Sequence, residues 1–414
     1  MSTRQLPPDE ASLLNDGRLR VCVVRHGYFP ADPRVRKEVS ALLEKSHEVT
    51  VLCLRGSGEQ PREVWRGARV YRMPLSHRRQ RLAGYLAEYG MFFLLAFATL
   101  TWLGFPKRFD VVQVNTMPDF LVFASWVLRL CGTRIVIDLH ELMPELFAAQ
   151  YRLKESSIAI RIVKLIERLA IAYSHQAIAV SPLQVSIFQR RMGASFVVVP
   201  NVPEEGLFPT QGSDGYGVSK VPLLVTHGTL LERYGVQVII RALPRILESM
   251  PAMLHVIGDG EYRGELQREV TRLGLDDHVA FVGHVPIEEV WRQIRPALLG
   301  IVPLLQDGYM ELASPNKLFE YVALGKAVVA SDLPGVRAYF DDTQIAFVRA
   351  GDHDDLACKV VSLYREPRLR EQFALRAMET YKQVEWSNSK ELYVKTLTRA
   401  ARGGAVPESR SDEP

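Results

Sequence analysis

The segment "SPNKLFEYVALGKAVVASDLPG", residues 314–335, decides the architecture, because it places a short amphipathic helix directly before a β-branched strand. Ser314 suits the N-cap, Pro315 the first helical position, and "KLFEYVALG" carries helical apolar spacing. "AVVAS" (327–331) then reads as a buried parallel strand. Lys317 falls in the first turn of this helix, where the dipole is already positive and a cation costs roughly 0.3–1 kcal/mol. Ser314, the amides around Pro315, Asn316, Lys317 and Leu318, and the Lys317 ammonium together suit an anion, phosphate above all. Glu320 shares the face of Lys317 one turn deeper, placed to accept hydrogen bonds from the vicinal hydroxyls of a ribose. The simpler alternative is an exposed Lys317–Glu320 ion pair of little weight; it explains the spacing but not the first-turn position.

Outward from this segment, the same alternation fills the chain. "LRVCVV" (19–24), "HEVTVLCL" (47–54), "DVVQVN" (110–115), "TRIVIDL" (133–139), "QAIAVS" (176–181) and "SFVVVP" (195–200) are short apolar strands separated by amphipathic stretches. The pattern breaks over 200–221, rich in Pro, Gly and Ser. It resumes with "LLVTHG" (223–228), "MLHVIGDG" (253–260), "HVAFVG" (278–283) and "ALLGIVP" (297–303). The fold class expected is α/β, as two tandem doubly wound, Rossmann-like domains. The expected boundaries are a disordered tail over 1–18, a first domain over 19–202, a second over 203–385, a helix over 386–402 crossing back to the first domain, and a disordered tail over 403–414. Such sheets bind ligands beyond the carboxyl ends of their strands, so the chemistry is expected in an interdomain cleft.

With 414 residues, 47% of them hydrophobic, the chain can build two cores, and a net charge of +4 gives no reason to invoke nucleic acid. Cys22, Cys53, Cys131 and Cys358 show no metal-ligand spacing and are expected to be reduced core thiols. The N-terminus lacks the apolar core of a signal peptide, and the longest apolar run, 90–105, is short of the roughly 20 residues a spanning helix needs.

Further candidates sit at strand ends. His140 and Glu141 follow "RIVIDL", and Gly27 ends the first strand, where a glycine lets backbone approach a ligand. "ADPRVRKE" puts Asp32 and Arg34 toward that same side, with Arg36 and Lys37 on a solvated basic face as the alternative. "GDGEYRG" is not a dinucleotide fingerprint, since its third glycine comes one residue late; a tight turn suffices for Gly258 and Gly260.

"ASPNKLFEYVALGKAVVASDLPGVRAYF" (313–340) resembles the C-terminal signature of glycosyltransferase family 4, retaining enzymes of the two-domain GT-B architecture. "VRHGYFPADPRVRKEVSALLEKSHEVTVL", "FDVVQVNTMPDFLVFAS", "IVIDLHELMPELF", "VVVPNV", "HGTLLERYGV", "VIGDGEYRGEL" and "VAFVGHVP" resemble other segments of that family, in the same order. The resemblance spans roughly residues 19–400 and implies a transferase moving a sugar, with retention, from a UDP- or GDP-linked donor to a glycan or lipid-linked acceptor, in surface polysaccharide or glycolipid synthesis. It implies no cofactor and no metal. Glu320 takes the place of the second glutamate of an E-x7-E motif, which holds the donor ribose. The first glutamate's place is Leu312, with Glu311 one residue away as a substitute. The phosphate loop has Thr229 and Tyr234 where the family commonly has arginine and lysine, so Gly228 and the adjacent Arg233 are left to serve the diphosphate beside Lys317. Phe281, Gly283 and Val285, with Gly258 and Gly260, are implied to border the base. His140 is implied to contact the transferred sugar or the acceptor, with Glu141, Gly27, Asp32 and Arg34 on the acceptor side. A non-catalytic sugar-nucleotide-binding subunit and a sugar-nucleotide epimerase of the same fold are the alternatives.

Between 62 and 108 the chain carries Arg62, Arg66, Arg69, Arg72, Arg78, Arg79, Arg81, Lys107 and Arg108 against Glu63 and Glu88, around an aromatic-rich apolar helix. Basic flanks on such a helix mark an interfacial segment, so 78–105 is expected to meet an anionic membrane from the cytoplasmic side. The alternative is a core helix with a solvated basic approach.

Overall fold

The structure is a computed structural model; it describes residues 17–76, 82–105, 109–204, 208 and 221–404. Most of both expected tails, the stretch following residue 204, and Arg78, Arg79, Arg81, Lys107 and Arg108 lie outside the described residues.

The first sheet contains β1 (Arg20–Tyr28), β2 (Glu48–Leu54), β3 (Arg62–Trp65), β4 (Ala68–Met73), β5 (Val111–Asn115), β6 (Arg134–Leu139), β7 (Gln176–Ala179) and β8 (Phe196–Val198), in the order β3-β4-β2-β1-β5-β6-β7-β8. It is parallel apart from β3, which pairs antiparallel with β4. The second sheet holds β9 (Leu223–His227), β10 (Met253–Ile257), β11 (Val279–Gly283), β12 (Leu299–Val302), β13 (Ala327–Ser331) and β14 (Ala346–Val348), in the order β11-β10-β9-β12-β13-β14, all parallel. Strand order reverses at β1/β5 in one sheet and at β9/β12 in the other. Those are the switch points where helices leave opposite faces and open a crevice.

Six helices concern the site and its surroundings: α1 (Pro33–Glu44), α2 (Leu82–Gly104), α3 (Trp126–Leu130), α4 (Ile158–Tyr173), α5 (Asn316–Ala323) and α6 (Trp386–Arg402). Helices α2, α3 and α4 cover one face of the first sheet, sharing a core that includes Phe92, Leu128 and Ile171 with Cys22, Val112 and Ile135. Helix α1 covers the other face, and α6, although last in the chain, packs on α1, β5 and β6.

Three expectations need correction here. Helix α2 has 23 residues and is long and apolar enough to cross a membrane by length and composition, so the 90–105 run underestimates it. It nevertheless buries Phe92, Ala96 and Leu100 in the first domain's core, and its Glu88 pairs with His26 of β1 at 3.0 Å. Cys22 and Cys53 are buried, but Cys131, at the turn that ends α3, and Cys358, on the outer side of the His353–Arg365 helix, are exposed. The basic stretch is only partly solvated: Arg72 is buried and held by Glu59 and Glu63 at 2.9 and 2.7 Å.

Candidate active site

On the second domain, β9 and β10 end side by side. Gly228 has φ +120° and Gly258 φ +127°, and a Cβ on Gly258 would stand 2.0 Å from the Gly228 carbonyl oxygen. A Cβ on Gly260 would meet the Leu230 oxygen at 2.2 Å, so backbone packing alone demands these two glycines. Helix α5 opens onto this junction. Its N-cap is Pro315, with no side-chain capping bond, and Asn316 is its first residue. The expectation for Ser314 is thereby corrected: its hydroxyl donates to the Gly335 oxygen at 3.3 Å, drawn off by the turn before the Pro334–Arg337 helix. The first-turn amides of α5 are left without a side-chain cap.

Lys317 is buried beside Gly228, with its Nζ 5.3 Å from the centroid of the Tyr234 ring. Burial pushes its ammonium down to about 8, against the pull of Glu320. Glu320 accepts from Trp291 Nε1 at 3.1 Å and has His227 Nε2 at 3.4 Å; burial raises its carboxyl to about 7, opposed by Trp291 and Lys317. Burial, then the Lys317 charge, lower His227 to about 3, so a neutral imidazole stands beside the Glu320 carboxyl. The His227 amide donates to the Tyr321 hydroxyl at 3.1 Å.

Facing this wall, the first domain presents the ends of β1, β5 and β6. His140 Nε2 lies 3.0 Å from Asp138 Oδ2 and 3.2 Å from Asn115 Nδ2. Burial pushes Asp138 up, but Arg34 and His140 outweigh it and hold the carboxyl well below the usual range. An ionised Asp138 fixes the His140 proton on Nε2 and leaves the Nδ1 lone pair for a ligand. Burial lowers the His140 pKa despite Asp138, so the ring is neutral. Glu141 accepts from the Tyr309 hydroxyl of the second domain at 2.5 Å, and burial raises its pKa against that bond.

Arg34 does not reach the acceptor side. Its guanidinium is 2% exposed and engaged within the domain: Nε and Nη2 donate to Asp138 at 2.9 and 2.7 Å, Nη1 donates to the Val199 oxygen at 3.0 Å, and Glu38 lies 3.1 Å away. Asp32 is spent on capping α1 through the Arg34 and Val35 amides and on pairing with Arg25 at 2.9 Å. Gly27 is crowded by that same arginine, whose Nε would lie 3.2 Å from a Cβ.

Two cavities of ≈ 450 and ≈ 280 Å³ meet across this junction and share Asn201, His227, Gly228, Thr229, Asn316 and Glu320. The larger extends past Gly258, Asp259, Val285 and Trp291 to Arg36 on the first domain. The smaller runs between His140 and Glu141 on one side and Lys317, Ser314, Pro315, Tyr309 and Leu312 on the other. Gly27, Asp32, Arg233, Gly260, Phe281, Gly283 and Leu318 line neither, and Phe281 instead sits under the Arg263 guanidinium. Glu311 is also absent from both linings: in the 3-10 turn Met310–Leu312 the three-residue period points Tyr309 and Leu312 to the same side and Glu311 away. His227, Trp291 and Tyr309 escaped the sequence reading. His227 alone carried a usable signal: like His140 it is a polar residue at a strand's carboxyl end, and here a glycine follows.

The "Glycosyl transferase 4-like domain" family matches residues 31–202 and the "Glycosyl transferases group 1" family matches residues 221–366. A phosphatidyl-myo-inositol mannosyltransferase of Mycobacterium leprae is 30% identical over 218 residues, 51% of this chain and 55% of that one. A GDP-mannose-dependent alpha-(1-6)-phosphatidylinositol monomannoside mannosyltransferase of Mycolicibacterium smegmatis is 37% identical over 76 residues, 18% of this chain and 20% of that one. The chain thus spans about half the length of the first of these relatives. Among solved structures, sucrose-phosphate synthase of Thermosynechococcus elongatus superposes with a TM-score of 0.72 at 18% identity, covering 91% of this chain and 98% of that one. Anabaena HepE in complex with UDP-glucose gives 0.70 at 18%, covering 92% and 100%. Both share the two-domain fold.

Proposed function

This chain belongs to the family-4 glycosyltransferases of GT-B fold, and on that premise we propose that it moves a sugar from a nucleotide diphosphate to a hydroxyl of a lipid-linked acceptor. The observation that carries this reading is the meeting of the uncapped α5 N-terminus, Lys317 against Gly228, and Glu320 one turn behind. The diphosphate lies at the helix mouth, and its charge falls on the first-turn amides and Lys317. The ribose hydroxyls donate to Glu320 in place of Trp291, and the base occupies the larger cavity beyond Val285.

The sugar then lies in the smaller cavity between Lys317 and His140. The bond from C1 to the β-phosphate oxygen breaks, and the acceptor oxygen bonds to C1 on the same face. The acceptor proton leaves with the departing diphosphate. Lys317 and the helix amides stabilise charge growing on that leaving group, while neutral His140, held by Asp138, contacts sugar or acceptor through Nδ1. Closure of the two walls aligns the reactants and excludes water. The relatives named for phosphatidylinositol support a lipid-borne acceptor in glycolipid synthesis. On this reading the acceptor is met at the cytoplasmic face of a membrane. One relative is named for GDP-mannose and one neighbour holds UDP-glucose, so the donor is a sugar on UDP or GDP. No cofactor enters this scheme.

The test is release of UDP or GDP from a panel of their hexose derivatives with phosphatidylinositol and lipid-linked glycans as acceptors. Release should fall at least ~100-fold in Lys317→Ala and in Glu320→Ala. Leu312, Thr229 and Tyr234 favour a second reading, a donor-binding subunit without turnover. Nucleotide binding with no release from any donor–acceptor pair would establish it. Sugar interconversion with donor alone would instead mark an epimerase.

A further inference from the structure

Helix α4 is amphipathic in the wrong sense for a core helix. Ser157 caps it, and Ile160, Glu167, Ala170 and Ile171 face the domain, with Glu167 paired to Arg191 at 3.0 Å. Its other side carries Ile158, Ile162, Leu165 and Leu169, each half or more exposed. At about 100° per residue these four fall on one line along the helix. Arg161, Lys164 and Arg168 follow one edge of that line, where long stems can lie on apolar surface while their charges stay wet.

The stripe does not stand alone. Helices α2, α3 and α4 form a single layer over the first sheet, and the outward side of the layer carries Leu94 and Trp102 of α2, Phe105 just after it, and Trp126 and Leu130 of α3, again half or more exposed. Phe97 of α2 stacks on Trp126 of α3 at 6.2 Å, and the Arg129 guanidinium of α3 lies over Tyr173 of α4 at 4.7 Å, so the patches join. Helix α2 contributes no charge to this surface, since its Glu88 is turned inward to His26. The cations gather on α3 and α4.

We propose that this three-helix face is the surface by which the protein lies on an anionic bilayer, with α4 as an insertion element beside α2. This rests on the lipid-acceptor reading above and extends it to a second helix. Charge decides the occupant: Lys164 has Glu155 at 3.8 Å, but a second copy would set Arg129, Arg161 and Arg168 against their own kind, whereas anionic headgroups complement them and acyl chains take the apolar line.

The test is co-flotation of the full chain with vesicles of phosphatidylcholine, alone or mixed with phosphatidylglycerol. The wild type should float with the mixed vesicles, and vesicles should slow amide exchange across 158–169. Both Ile162→Gln/Leu165→Gln/Leu169→Gln and Arg161→Glu/Lys164→Glu/Arg168→Glu should lose at least ~10-fold in partitioning. Their thermal stabilisation by UDP or GDP should be unchanged, which shows that they fold. If both float like wild type while Leu94→Gln/Trp102→Gln does not, α2 alone makes the contact; the inference falls and the membrane reading stands. If the wild type floats with neither vesicle, the membrane reading falls and takes the inference with it. A wild-type dimer that the α4 variants convert to monomer, with no change in flotation, would make the face a self-association surface and overturn the proposal.

Discussion

Lys317 pays twice for its position, once to the helix dipole and once to burial, and only an anion returns the cost. Its folded value of about 8 lies below the 10.5 of a free lysine. Between those limits the unfolded chain holds a proton the folded chain has released, so this residue's contribution to stability rises with pH across that window. A diphosphate reverses the preference by favouring the ammonium. Above pH 7 the nucleotide's own phosphate no longer titrates. Affinity for UDP or GDP is therefore expected to weaken as pH climbs through about 8, by up to ~10-fold per pH unit. Calorimetry from pH 7 to 9.5 should show proton uptake on binding. Lys317→Arg should flatten the profile, and Lys317→Met should bind weakly at every pH while melting no lower than wild type when empty. A wild-type affinity that stays level to pH 9.5 would place the diphosphate elsewhere. That Lys317 and Glu320 share a helix face was legible from a three-residue spacing. The groups that hold Glu320 were not: Trp291 is 29 residues away and His227 comes from another strand, so no local pattern joins them.

At the scale of elements, α1 shows why a correct helix can still mislead. Its capping by Asp32 and its period are readable, but which side meets the sheet depends on partners far along the chain. Arg34 and Glu38 turn inward to a buried polar cluster. Asn115 Nδ2 donates to Glu38 and to Asp138 at 2.9 Å each, Gln113 Nε2 donates to Glu38 at 2.8 Å, and the Tyr393 hydroxyl of α6 donates to Gln113 at 2.6 Å. Burial, then Asp138, push the Glu38 carboxyl up. The cluster ties α1, β5, β6 and α6 together beneath His140, so Arg34 is a positioning residue. Arg34→Met leaves the buried Asp138 carboxylate without its arginine and should cost about 3–5 kcal/mol in urea unfolding. Undiminished stability with a raised acceptor KM would return Arg34 to the acceptor wall. The strands themselves were legible, because both faces of a parallel sheet are covered and the runs are apolar throughout. The β3–β4 edge was not, because its alternating arginines read as a basic approach rather than as a half-exposed hairpin.

At the scale of the whole molecule, two tyrosines of the second domain hold the cleft together. Tyr309 donates to Glu141, and Tyr339 donates to the Val180 oxygen at 2.9 Å. Two facing switch points could be inferred from alternating strands, but the bonds between the walls could not. Tyr309 and Glu141 are 168 residues apart, and each sits in a loop whose path only the assembled domains define. Glu141 is also the group an acceptor or sugar would meet, so the bond that closes the empty cleft competes with the ligand that should fill it. Losing a hydrogen bond to a charged acceptor removes about 1.5–3 kcal/mol, and one to a neutral oxygen about 0.5–1.5. Together they shift a two-state opening equilibrium by at least ~10-fold. Tyr309→Phe/Tyr339→Phe should therefore give a larger radius of gyration by X-ray scattering than wild type when empty, and nucleotide sugar should bring it back, since donor contacts with both walls replace the lost bonds. Superposable scattering curves for the two empty proteins would mean that α6, anchored on α1 with Lys390 bonded to Glu44 at 2.7 Å, sets the angle between the domains without the tyrosines.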